Sequence, residues 1–269
     1  MTHPLLQSAQ LKLDRGRKHL NELESCMQEW PKTLRKPPIT YTTAIEGRGK
    51  GRKRVTRFDS VEPLPPEWGL IAGDAAHNAR CALDHWVCAL ARLNGATSVA
   101  TNSFPVYSRK PDDERFEDMK TILLANLRSE HRDMIIDMQP YRKKNSPRDR
   151  MLTALALIDN MDKHQTVTVS RARRRSVVGE DLPGVEPYVM VVKGQEKPRL
   201  NFPKDTLVEA GRKAWWTSPN ASILQVPFFV EPVFGEPRVT LGELREIHDE
   251  VARIIENVVP DFERFAPTT

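Results

Sequence analysis

The chain has 269 residues, 39% of them hydrophobic and 29% charged, which suits one large or two ordinary domains with a proper core and excludes wholesale disorder. Its apolar runs are short, Val226-Pro227-Phe228-Phe229-Val230 being typical, and none approaches the roughly 18 residues a bilayer span requires. Met1-Thr2-His3-Pro4 lacks the basic-then-apolar order of a secretory signal, and the three cysteines are too few and odd in number for a disulfide framework. The expectation is a cytoplasmic protein with no membrane partner.

The first predicted element is a long helix over 5–30, where Leu6, Ala9, Leu13, Leu20, Leu23, Met27 and Trp30 recur at spacings of three and four. Pro31 and Pro37-Pro38 are expected to stop it. Segments 39–46 and 53–61 read as strands of a hairpin whose loop is Gly47-Arg48-Gly49-Lys50-Gly51. That loop lacks the Ser/Thr and following helix of a nucleotide-binding loop. Pro63, Pro65 and Pro66 lead into a helix over 69–93. A further helical region follows Pro111, breaks near Ser129 and ends at Pro140, and Ser146-Pro147 opens a helix to about Asp162. Beyond it, 165–171, 186–193 and 222–230 read as an antiparallel sheet, with a short helix over Lys204–Trp216. Trp215-Trp216 closes a core edge or forms an aromatic platform. Thr240 and Glu243 form a capping box for a last helix, with Leu244, Val251, Ile254, Ile255 and Val258 inward. The class is α+β. A helical bundle in the first 164 residues carries an inserted β-hairpin (39–61), and a β-rich segment (165–235) and a C-terminal helix (240–265) follow. The whole of 1–269 is expected to form a single domain.

Charge is unevenly spread. Of the 41 Lys and Arg residues, Arg48, Lys50, Arg52, Lys53, Arg54 and Arg57 lie in one stretch; Arg142, Lys143, Lys144, Arg148 and Arg150 lie in a second; Arg171, Arg173, Arg174 and Arg175 lie in a third. They suit a phosphate backbone, with RNA as the partner, or are three solvated loops that never meet. No aromatic residues interleave them, so stacking on single strands is not indicated.

The helix over 69–93 divides into two faces at about 100° per residue. Ile71, Ala75, Ala76, Ala79, Ala82, Leu83, Trp86, Val87 and Leu90 fill one. Asp74, His77, Asn78, Arg80, Cys81, Asp84, His85 and Cys88 fill the other, without the Lys, Glu or Gln of an ordinary solvated face. These are side chains for proton transfer, metal ligation and anion binding, although a buried hydrogen-bonded network would use them too. Cys81 and Cys88 stand about 10.5 Å apart along the helix, beyond disulfide reach, and read as thiols. On the later helix, Asp162 shares a stripe with Leu155 and Ile158, so a carboxylate turns toward the core and needs a partner. Lys163 and His164 follow it.

The string PPEWGLIAGDAAHNARCALDHWVCALA, with FPV at 104–106, QPY at 139–141 and LALIDNMDKHQ at 155–165, resembles a family of uncharacterised bacterial and phage proteins. Those proteins carry Gly-Asp-x-x-His-Asn-Leu-Arg-Ser-Ala-Leu-Asp-His and a later Asp-Lys-His. The likeness covers about 63–165, and Ala79 and Cys81 depart from the usual Leu and Ser. It brings no established activity. Arg80-Cys81-Ala82-Leu83-Asp84-His85 is also similar to the Arg-x4-His signature of HEPN ribonucleases, which are helical and act as dimers without metal.

Three readings remain. In a metal-independent endoribonuclease, His85 and His77 would move protons, Arg80 would stabilise phosphate charge, and Asp84 or Asp162 would orient an imidazole. A homodimer is implied by the HEPN likeness. In a metal-dependent hydrolase, Asp74, His77, Asn78 and His85, with Asp162 and His164, would hold zinc, manganese or iron. In a non-catalytic nucleic-acid-binding or interaction protein, the polar face would be a packing network.

Overall fold

A computed structural model describes residues 3–36, 39–46, 53–142, 146–173, 190–192, 230–235 and 238–265. The chain forms two compact units, one of residues 1–26, 65–170 and 232–269, the other of 27–64 and 171–231. The elements give the α+β class expected from the sequence: α1 (Gln7–Thr33), the strands β1 (Ile39–Glu46) and β2 (Lys53–Val61), and α2 (Glu67–Leu93), followed by α3 (Asp113–Asp118), α4 (Ser129–Asp137) and α5 (Pro147–His164). Next come β3 (Val169–Arg173), β4 (Met190–Val192), β5 (Val230–Phe234), β6 (Val239–Thr240), α6 (Leu241–Glu256) and α7 (Val259–Phe265).

In the first unit the apolar stripe of α2 is the centre of the core, with Ala72, Leu83, Trp86, Val87 and Leu90 fully buried. Leu6, Leu13 and Leu23 on the α1 side join it, as do Leu155 and Ile158 of α5 and Val251 and Ile254 of α6. Burial of each of the Leu, Ile and Val side chains contributes about 1.5–3 kcal/mol, which outweighs the helix propensity of any one residue. Helix α2 ends in a Schellman turn. Gly95 takes φ +88, its N–H donates to Arg92, and Ala96 N donates to Ala91 O at 3.0 Å. Ser146 caps α5 and Thr240 with Glu243 makes the capping box of α6, both where the sequence places them.

Several details differ from the sequence expectation, among them the C-terminal helix expected over 240–265, which is divided into α6 and α7. Pro31 lies inside α1, which runs on to Thr33. Only one hydrogen bond is lost so near the end, so the last turn survives. The region after Pro111 is interrupted by a π turn over Met119–Leu123, closed by Leu124 N donating to Met119 O. In the second unit β1 and β2 pair antiparallel, Glu46 opposite Lys53, with an irregularity between Thr40 and Tyr41. The strand expected over 186–193 appears as β4 but pairs parallel with β2, Thr56 opposite Met190. The other sheet has the order β3-β5-β6, β5 and β6 antiparallel. The expected helix over 204–216, Trp215-Trp216 and most of 222–230 lie outside the described residues.

Candidate functional site

Two glycines bring α5 and the segment just after it against α2. A Cβ on Gly69 would stand 1.9 Å from the carbonyl oxygen of Val167, and one on Gly73 would stand 2.0 Å from Asp162 Oδ1. One turn further along, His77 Nδ1 is 2.8 Å from Asp159 Oδ1. As the α2 partner advances from 69 to 73 to 77, its neighbour recedes from 167 to 162 to 159, so the chain segments run antiparallel. The Gly-x3-Gly-x3-His ridge thus sets the approach and ends it on an imidazole.

Asp159 is 3% exposed and has two partners. Its Oδ1 meets His77, and its Oδ2 accepts from Lys163 Nζ at 2.6 Å, one turn along α5. A buried carboxylate held by two donors has its desolvation offset. A carboxylate only accepts, so the hydrogen of His77 belongs on Nδ1 and the lone pair on Nε2. Nε2 faces Cys81 Sγ at 3.4 Å, one turn further on the same helix. The arrangement is thiol, imidazole, carboxylate and ammonium in sequence, with the His77 side chain 40% exposed. Burial pushes the Cys81 thiol pKa up; the Lys12 charge opposes this, and Asp84 and Asp159 add to it. Asp162 lies against Gly73, its carboxyl pKa raised by burial and then by the charge of Asp74, with His77 opposing.

Arg80 and Asp84 do something else. Arg80 donates from Nη2 to Phe104 O at 2.5 Å, and Asp84 Oδ1 accepts from Phe104 N at 2.8 Å. The two side chains are 3.2 Å apart, so this i,i+4 ion pair grips both backbone groups of one residue. Arg80 Nη1 is buried without an aligned hydrogen bond. Gln139 continues the clamp, donating to Pro105 O and Ile135 O and accepting from Tyr107 N. Tyr141 N donates to Tyr107 O. The strings at 104–106 and 139–141 are therefore two sides of one clamp. Burial raises the Asp84 carboxyl pKa, against Arg80 and the Phe104 N–H.

The polar face of α2 is thus split. His77 joins Lys163 through Asp159, and Asp162 lies near Asp74, whereas Arg80 and Asp84 serve the clamp. Asp159, not Asp84 or Asp162, orients an imidazole. Asn78 is buried and donates back to Asp74 O, and Asp74 is exposed. His85 has no hydrogen bond or ion pair among the described residues. It stands about 12 Å along α2 and about 80° round from His77, because i+4 steps drift by about 40° each. For the same reason Asp74, His77 and His85 do not gather, and among the described residues no three His, Cys, Asp or Glu side chains are grouped to hold a metal ion. His164 is exposed at the end of α5.

Of the basic stretches, Arg142 pairs with Asp137 at 2.8 Å and Arg148 pairs with the buried Glu250. Lys53, Arg54 and Arg57 lie on β2, and Arg171 and Arg173 on β3. Arg48, Lys50, Arg52, Lys143, Lys144, Arg174 and Arg175 lie outside the described residues.

The central residue the sequence reading passed over is Asp159. Its signal was present: it stands four residues from Leu155 on the buried stripe and four from Lys163. Gln139 stood in the QPY string at 139–141 without an indication of its role, and Lys12 carried no comparable signal.

No family model, curated protein or solved structure matches this chain.

Proposed function

We propose that the chain is a metal-independent endoribonuclease in which His77 moves the proton of the RNA 2′-hydroxyl. The observation that carries this is the imidazole itself, fixed through Nδ1 by the buried Asp159 and leaving Nε2 as the acceptor. The bond that Nε2 receives from the Cys81 thiol is weak, so a substrate hydroxyl, a stronger donor, displaces it. With the proton on Nε2, the 2′-oxygen attacks the neighbouring phosphorus and the P–O5′ bond breaks; the leaving 5′-oxygen takes a proton from water, and His77 returns its own to solvent. Charge building on the phosphate oxygens needs a fixed cation. The Arg-x4-His likeness assigns that role to Arg80, but Arg80 is largely buried in its contacts with Phe104 and Asp84, so the role passes to Lys163, whose half-exposed ammonium shares the Asp159 carboxylate with His77. A net charge of +5 favours a polyanionic substrate. A cytoplasmic homodimer goes with this reading.

The test is cleavage of RNA in EDTA. His77→Ala should lower the rate about 10²–10⁴-fold, the usual worth of a positioned acid–base group. Lys163→Ala should also slow cleavage, whereas Arg80→Ala should act by loosening the fold. Undiminished cleavage by His77→Ala overturns the proposal. A second reading is favoured by the clamp: a non-catalytic nucleic-acid-binding protein would also spend Arg80 and Asp84 on packing. It is distinguished by RNA binding that weakens with salt and no turnover in the wild type.

A further inference from the structure

Proton transfer by His77 leaves unused the thiol that faces it. We propose that Cys81 is an activated thiol, a site of covalent modification by hydroperoxides built from Cys81, His77 and Asp159, and that its oxidation shuts off proton transfer at His77. The second clause rests on the ribonuclease reading; the first does not.

The three cysteines supply their own comparison. Cys88 Sγ points at the carbonyl oxygens of Asn102 at 3.5 Å and Val99 at 3.7 Å. Carbonyls accept the S–H bond but take no proton, so that thiol stays inert. Cys26, on α1, has no hydrogen-bond partner among the described residues. Cys81 alone faces an imidazole nitrogen, and that imidazole is backed by a buried carboxylate. This is the nucleophile, base and orienting group of an activated side chain, in hydrogen-bond reach of one another. Burial holds the Cys81 proton in place, so reactivity depends on an acceptor rather than on spontaneous ionisation. The charges felt by the sulfur are Lys12 from α1 and Lys163 from α5, which favour the thiolate, and Asp84 and Asp159, which oppose it.

The step balances. His77 Nε2 takes the thiol proton and the sulfur attacks one peroxide oxygen. The O–O bond breaks, and the leaving oxygen takes the proton back from His77. Cys81 becomes a sulfenic acid, oxidised by two electrons, and the hydroperoxide is reduced to water or an alcohol. The added oxygen then lies where a substrate hydroxyl would approach Nε2.

The full chain is treated with hydrogen peroxide at neutral pH in the presence of dimedone, and each cysteine-containing peptide is quantified by mass spectrometry. Cys81 should be labelled about tenfold faster than Cys26 or Cys88 in the same molecules, as expected for a base-assisted thiol. His77→Asn and Asp159→Asn should remove that preference. The wild type suffices if either variant fails to fold, because labelling of Cys81 no faster than the other two overturns the proposal. RNA cleavage is followed separately. It should fall in step with Cys81 oxidation and return with dithiothreitol. Preferential labelling with undiminished cleavage overturns the switch; preferential labelling in a wild type that never cleaves RNA leaves the activated thiol standing and removes the ribonuclease.

Discussion

Two aspartates three residues apart on α5 share the apolar stripe, and their fates differ because α2 meets them differently. Asp159 faces His77 and has two partners. Asp162 faces the bare Cα of Gly73 and makes no hydrogen bond or ion pair among the described residues. The stripe of Leu155, Ile158 and Asp162 was legible in the sequence; which carboxylate would be paired depended on the position of a glycine in another helix. Asp162 therefore works against folding. Its carboxyl pKa is raised, by burial first and Asp74 second, so the folded chain keeps a proton that the unfolded chain has lost above the ordinary value of 3.8. For a raised acid, stability declines as pH climbs through that interval. Asp162→Asn removes the charge and keeps the shape. Its urea midpoint at pH 7 should exceed that of the wild type, and the gain should vanish as pH falls toward 3.8. A lower midpoint at pH 7 would show that the carboxylate is held by a partner.

At the scale of elements, local signals were the readable ones. The hairpin strands, the Ser146 cap and the Thr240–Glu243 box are each specified within a few residues, and the structure has them where the sequence puts them. The parallel pairing of β4 with β2 joins Met190 to Thr56 and has no local signature. The ridge of Gly69, Gly73 and His77 is intermediate. Two glycines inside a helix each cost about 1 kcal/mol relative to alanine, so close packing must compensate them. Gly69→Ala separates these effects. On propensity alone it should stabilise α2 by about 1 kcal/mol. The Val167 carbonyl, 1.9 Å from the new methyl, is backbone and cannot swing away. Overpacking should win, with a net loss of about 1–3 kcal/mol in chemical denaturation. An increase in stability would mean that the Val167 backbone lies further from α2 than the ridge implies.

Across the first unit, Asp84, Gln139 and Asp159 are buried or half-buried polar groups that hold chain segments together, and two histidines divide by that use. His77 turns Nε2 to a thiol, a partner that a stronger donor displaces; His248 spends its Nε2 on a backbone carbonyl. His248 lies on α6, where a Cβ on Gly16 of α1 would stand 3.2 Å from its ring. Its Nε2 donates to Leu13 O at 2.7 Å, and the backbone oxygen of Ala75 on α2 is also 3.3 Å from that Cβ position, so three helices meet there. Burial pushes the His248 pKa below its ordinary value of 6.5, with the Leu13 carbonyl opposing and Arg17 adding to the depression. Asp249 and Asp14 pull the other way. The folded chain thus excludes a proton that the unfolded chain binds once pH drops below 6.5. Stability is fully present above that value and is lost as pH falls toward the depressed one, at up to about 1.4 kcal/mol per pH unit for a single proton. His248→Asn keeps a side-chain donor but does not titrate. It should be less stable than wild type at pH 7.5, by about 1–3 kcal/mol for a disturbed buried hydrogen bond. The gap should narrow at pH 5.5, because only the wild type is then losing stability through this imidazole. Comparing the two proteins at each pH cancels the carboxylates and the other histidines. A gap of the same size at both values would mean that His248 is protonated as readily in the fold as out of it, and the three-helix junction would then not be sealed from water.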